Sequence, residues 1–141
     1  MKAIAIDGLA KSYADKTIFT DFSLNVERGE IVAILGPSGC GKSTLLRCIA
    51  GLERADSGRV SVAGEIGMIF QEPRLFPWKN VRDNVAFAAR NDVERARVEE
   101  TIELVGLRAA ERRLPKHLSG GMAQRAALAR SLVRRPDVLL L

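Results

Sequence analysis

No apolar run in this chain approaches the roughly 20 residues that a membrane-crossing helix requires. The longest, Ile31–Leu35 and Val138–Leu141, have the length of a strand. The start, MKAIAIDGLAKSY, lacks the long apolar stretch of a secretory signal. Both absences lead to the expectation of a cytosolic protein. Cysteine is scarce: Cys40 and Cys48 stand close together, which excludes a disulfide framework and reads as two free thiols. Histidine is scarcer still. His117 is the only one, and no Cys/His cluster has zinc-ligand spacing. There is also no internal repeat, low-complexity segment or Gly/Ser linker.

What is present fits one globular domain with a real core: 141 residues, 47% hydrophobic and 28% charged. The net charge of +5 could point to a polyanion. The basic residues are scattered, however. Arg108, Arg112, Lys116, Arg125, Arg130 and Arg134 alternate with apolar positions, as on a solvated helical surface. No nucleic-acid partner is expected.

The pattern along the chain predicts strands first. Lys2–Asp7 and Phe22–Val26 alternate with period two, and Glu30–Leu35 is a continuous apolar run of the kind buried on both faces of a parallel sheet. Lys42–Ala50 reads as a helix. Val60–Val62 and Gly67–Phe70 read as short strands, and the proline-bearing 72–78 stretch as a loop. Helices are expected over Val81–Arg90, with Asn80 as N-cap, over Val93–Val105 and over Met122–Val133, with a loop over Leu114–Gly121. Val138–Leu141 begins a second buried strand, expected in one sheet with Glu30–Leu35. The order implies an α/β core with a helical insertion.

Chemistry enters at Gly36-Pro37-Ser38-Gly39-Cys40-Gly41-Lys42-Ser43-Thr44, which matches the phosphate-binding pattern G-x-x-x-x-G-K-[ST]. Phosphates are crowded with negative charge. Backbone N–H groups can surround them only where the chain curls tightly, and Gly36, Gly39 and Gly41 permit that curl. A helix start at Lys42 adds a positive dipole end. Lys42 is placed to neutralise the β and γ phosphates of a nucleotide, and the Ser43 hydroxyl to meet Mg2+.

A second glycine-lined helix start follows at Leu118-Ser119-Gly120-Gly121-Met122. Alone, this reads equally as an ordinary serine cap or as a second anion-binding helix terminus. Together with the phosphate loop it resembles the signature sequence of ABC ATPases, and the resemblance runs along nearly the whole chain. It implies a P-loop NTPase core with an N-terminal antiparallel β subdomain (about 1–71), a glutamine loop and helical subdomain (about 72–121), and a signature helix leading into the next strand (about 122–141). It implies that Tyr13 stacks on adenine and that Gln71 touches Mg2+ and the attacking water. Ser119, Gly120 and Gly121 would grip an ATP held by a second ATPase subunit in a head-to-tail dimer. The Gln71–Asn84 segment would meet the membrane permease, with Trp78 an anchor there or a satellite of the core. ATP and Mg2+ are the implied cofactors, and the implied place is cytoplasmic, peripheral on the inner face of the plasma membrane. FQEPRLFPWKNVRDNVAF is similar to ATPases of the nitrate, sulfonate and taurine importer group.

Family members place Asp and then Glu after the strand that Val138 begins, and a switch histidine beyond. Here the sequence ends at Leu141, and His117, which precedes the signature, is given no catalytic role. A truncated chain, marginally stable and poorly active alone, is therefore expected. Two alternatives stay open: a catalytically inactive nucleotide-binding fragment, and a soluble ribosome-associated ABC ATPase. DNA-repair relatives with long coiled coils are excluded, because only 77 positions separate Lys42 from Ser119.

Overall fold

The structure is a computed structural model that describes residues 1–141. It is α/β and divides into two compact units, Met1–Ile66 with Leu140, and Gly67–Leu139 with Leu141.

The first unit is built on an antiparallel hairpin. Strand β1 (Lys2–Tyr13) pairs with β2 (Lys16–Glu27), and β3 (Ser57–Val62) lies on the other edge of β1, giving the order β2-β1-β3. Both hairpin strands extend well past the alternating stretches legible in sequence, because cross-strand pairing carries the polar ends along. Ile4, Ile6 and Leu9 of β1 and Val26 of β2 are buried. Helix α1 (Lys42–Ile49) contributes Leu45, Cys48 and Ile49 to the same core.

One expectation fails here. Glu30–Leu35 is not a strand and is not buried: Ile31 is 97% exposed and Leu35 89%. Nor does it share a sheet with the chain's last strand. Strand β5 (Val138–Leu140) pairs instead with β4 (Ile66–Met68) in a two-stranded sheet. The physical reason is pairing. A strand buried on both faces needs partners for its N–H and C=O groups, and no strand pairs with this run.

The second unit is helical: α2 (Val81–Ala86), α3 (Asp92–Ala96), α4 (Val98–Leu104) and α5 (Gly120–Leu132), with short 3-10 turns at Arg108–Ala110 and Pro115–His117 in what sequence marks as connections. Asn80 caps α2 as expected, its side chain accepting from the Asp83 N–H. That helix ends at Ala86 rather than Arg90. The Ala88 and Ala89 N–H groups bond three residues back, to Val85 and Ala86, so the last turn tightens and stops. The helix expected over Val93–Val105 is two helices that turn at Arg97. The piece before the turn buries nothing, and the piece after it buries Val98, Thr101 and Ile102. Ser119 is the N-cap of α5, so that helix starts two residues before Met122.

The core of this unit joins Val81 and Val85 of α2, Val98 and Ile102 of α4, and Ala126 and Ala129 of α5. The alanines let α5 lie close to its neighbours. Arg125 of α5 donates to the Val105 carbonyl at 3.0 Å, satisfying the end of α4. Ile102 is fully buried among these residues. Ile102→Ala is therefore expected to lower the stability of this unit by about 2–5 kcal/mol, read by denaturant unfolding.

Candidate nucleotide site

The phosphate loop lies in the first unit, and the glutamine loop and signature lie in the second.

At the head of α1, Gly41 has φ 104°, a left-handed conformation, and a Cβ there would stand 2.3 Å from Ile18 Cγ2 and 3.0 Å from the Phe19 ring. Only glycine fits both the turn and the approach of β2. No side chain caps α1, and its first turn holds no acidic residue. By contrast α2, α3 and α5 are capped by Asn80, Asn91 and Ser119. The first N–H groups of α1 are thus left for an outside acceptor, at the positive end of the helix dipole.

The Lys42 ammonium folds back over this loop. It donates to the carbonyls of Gly36 at 2.7 Å and Pro37 at 2.8 Å and approaches Cys40 Sγ at 3.6 Å. Lys16 of β2 adds a second cation, donating to the Gly39 carbonyl at 3.1 Å. Sequence reasoning missed Lys16, since nothing in the motif points to a residue 20 positions upstream of Gly36. Two ammonium groups therefore stand on neutral carbonyls around one glycine loop. A polyanion offers each a stronger acceptor. Ser38 and Ser43 are exposed, and Thr44 half-buried.

Tyr13 ends β1 and is 43% exposed. Its hydroxyl donates to the Glu53 carboxylate, which ties the ring to the segment after α1. The bond to Glu53 and loss of solvation hold the phenol above its usual pKa. Lys11 lies 4.9 Å from the ring centroid and pairs with Glu53 and Asp56, each at 3.5 Å. Partial burial lowers the Lys11 pKa, and the two carboxylates more than offset it, so the net shift is upward. The aromatic ring is thereby fixed from one side by charge and left accessible. Glu53 and Lys11 were not singled out in the sequence, because no spacing rule links them to Tyr13.

In the second unit, the Ser119 hydroxyl accepts from the Met122 N–H at 3.3 Å, a long bond, and nothing stands within 4 Å of where a Cβ on Gly120 or Gly121 would be. The helix start is open. Gln71 is exposed, and its carbonyl accepts from Gln124 Nε2 at 2.5 Å, so Gln71 and the signature helix are joined. Beyond it, Phe76 packs on Trp78 at 5.5 Å and on Phe87 at 4.6 Å between ring centroids. Trp78 is 72% exposed, at odds with a place in the core. The buried Asn84 amide holds this aromatic loop. Its oxygen accepts from the Phe76 N–H, and its nitrogen donates to the carbonyls of Phe76, Lys79 and Asn80 at 2.8–3.2 Å.

A family model described as ABC transporter matches residues 19–141. An aliphatic sulfonates import ATP-binding protein, SsuB 2 of Pseudomonas syringae pv. tomato, is 51% identical over 93% of this chain and 57% of its own length. SsuB 2 of Burkholderia cenocepacia is 52% identical over 93% of the chain and 52% of its own length, and SsuB 1 of Streptomyces avermitilis 50% identical over 99% and 54%. The chain thus spans a little over half the length of these curated relatives. Among solved structures, a metal-chelate type ABC transporter in an inward-facing conformation superposes with a TM-score of 0.85 at 26% identity, over 99% of this chain and 59% of that one.

The two cysteines give a direct test of the loop. Cys40 is exposed beside Lys42, whereas Cys48 is buried and burial pushes its thiol pKa up. A maleimide is expected to label Cys40 and spare Cys48, and Mg-ATP to protect Cys40, as read by peptide mass spectrometry.

Proposed function

The chain belongs to the ABC transporter family, and from that premise we propose that it is part of the nucleotide-binding domain of an import ATPase. In this reading residues 1–71 form the β and phosphate-loop portion, 72–121 the glutamine loop and helical subdomain, and 122–141 the signature helix with the strand after it. The observation that carries the reading is the loop from Gly36 to Gly41, with an uncapped helix behind it and the Lys42 ammonium resting on its carbonyls.

ATP fits this cradle. Gly36, Pro37, Ser38, Gly39, Cys40, Gly41, Lys42, Ser43 and Thr44 would hold its phosphates, with Lys42 leaving the loop carbonyls for the β and γ phosphates. Tyr13 would offer its ring to the adenine. No three His, Cys, Asp or Glu side chains cluster in a way that could hold a metal ion. Mg2+ would therefore take the Ser43 hydroxyl and the Gln71 amide from this chain and fill its shell from phosphate oxygens and water, as a hard ion that keeps several waters can. When bound, Mg2+ supplies charge neutralisation to those oxygens. Gln71 has both a donor and an acceptor with which to orient the attacking water.

Ser119, Gly120 and Gly121 would act across a head-to-tail dimer, donating to the γ-phosphate held by the Lys42 of a second subunit. Both faces then grip one polyanion, and loss of the γ-phosphate lets the dimer open. The exposed aromatic loop within Gln71–Asn84 would dock on the permease, with Trp78 as a central anchor. No helix is long and apolar enough to cross a membrane; the subunit would sit peripherally on the cytoplasmic face of the plasma membrane through that contact. The named relatives favour sulfonates within the nitrate, sulfonate and taurine group as cargo. They lend no support to a ribosome-associated role or to an inactive nucleotide-binding fragment.

In the complete subunit, Lys42→Ala is expected to abolish Mg-ATP binding by calorimetry. Ser119→Arg should leave binding within about twofold while removing hydrolysis, because an arginine there blocks closure of the dimer. Wild-type turnover by the Ser119 variant would refute the cross-dimer role.

A further inference from the structure

Arg130 sits ten residues into α5 and is half-buried, yet burial is the sole cause acting on its pKa, which it lowers. The guanidinium spends its donors on main chain instead. Nη1 donates to the Arg74 carbonyl at 2.7 Å and Nη2 to the Pro73 carbonyl at 2.9 Å. These are consecutive carbonyls just past Gln71, and only a planar fork reaches both at once. Arg74 adopts φ 48°, which a side chain rarely takes, and its own guanidinium lies 4.2 Å over the Phe70 ring. The backbone after Gln71 is therefore held in a strained turn. The same helix binds this segment twice more, through Gln124 to the Gln71 carbonyl at 2.5 Å and through Ser131 to the Met68 carbonyl at 3.2 Å.

We propose that Arg130 is a positioning residue that locks the glutamine loop onto the signature helix, so that Gln71 and Ser119 move as one body. The inference rests on the reading above, in which Gln71 meets Mg2+ and orients the attacking water. A helix that begins at the signature and grips the glutamine loop ten residues later carries any displacement of one to the other without an intervening hinge. Removing the fork frees the loop while leaving the signature cap and the phosphate loop as they are.

The test compares Arg130→Met, which keeps the bulk and loses the fork, with Arg130→Lys, which keeps the charge and one donor. Gln124→Leu serves as a second route at an exposed position, should Arg130→Met not fold. Amide hydrogen exchange is read on residues 71–76, together with Mg-ATP affinity and steady-state turnover of the complete subunit. Arg130→Met is expected to raise loop exchange and to lower kcat about tenfold or more with KM and ATP affinity within about twofold. Arg130→Lys should recover part of both, and Gln124→Leu should show the same effects more weakly. Unchanged loop exchange in Arg130→Met overturns the positioning role whatever the activity does. Raised exchange with wild-type kcat instead overturns the reading of Gln71 on which the coupling depends.

Discussion

The proposed nucleotide site depends on one constraint: the backbone turns sharply at Gly41, and no side chain caps the first N–H groups of α1. The approach of Ile18 and Phe19 leaves no space for a side chain at that turn, so β2 and the phosphate loop hold each other in place. An uncapped helix start is a standing cost, because several donors lack acceptors. Lys42 and Lys16 relieve the other half of the problem by covering the loop's carbonyls. The result is a glycine loop with two ammonium groups on its carbonyls and an uncapped helix start behind it. Such a loop offers what a phosphate would need in the proposed reading.

The second unit solves a different problem, which is to present a glycine-flanked helix start, capped only by the long Ser119 bond, on a packed helical core. Its start is open at Gly120 and Gly121, and its middle is locked by alanines that pack without side-chain freedom to lose. The polar side chains of α5 reach for main-chain carbonyls rather than for carboxylates. Arg125 takes the end of α4, and Gln124, Arg130 and Ser131 take the segment from Met68 to Arg74. Bonds to carbonyls fix backbone position without depending on pH or salt. Asn84 does the same for the aromatic loop that follows. The segment from Met68 to Asn80 is thus held by side chains of α2 and α5.

How much of this was legible in the sequence follows from where each signal resides. The helix start at Lys42, the Ser119 cap and the Asn80 cap are local patterns complete within a few residues, and the structure has each where the sequence placed it. The hairpin strands were placed correctly but cut short, since pairing and not periodicity sets their ends. Glu30–Leu35 was misread because an apolar β-branched run reports a tendency, while a strand requires a neighbour that no property of the run supplies. The break at Arg97 was invisible because Val98, Ile102 and Val105 keep helical spacing beyond it and no proline or glycine marks the turn itself. Lys16, Glu53 and Arg130 were missed for a common reason: each acts on a partner at least 20 positions away.

The account stands or falls on whether the α1 start takes the phosphates. Amide-resolved NMR of the protein titrated with Mg-ATP reads this directly. The account predicts that the largest saturable shifts fall on Gly39, Cys40, Gly41, Lys42, Ser43 and Thr44, with a smaller response at Tyr13. Loop amides that stay unmoved at saturating nucleotide, with the shifts gathered elsewhere or absent, would contradict it.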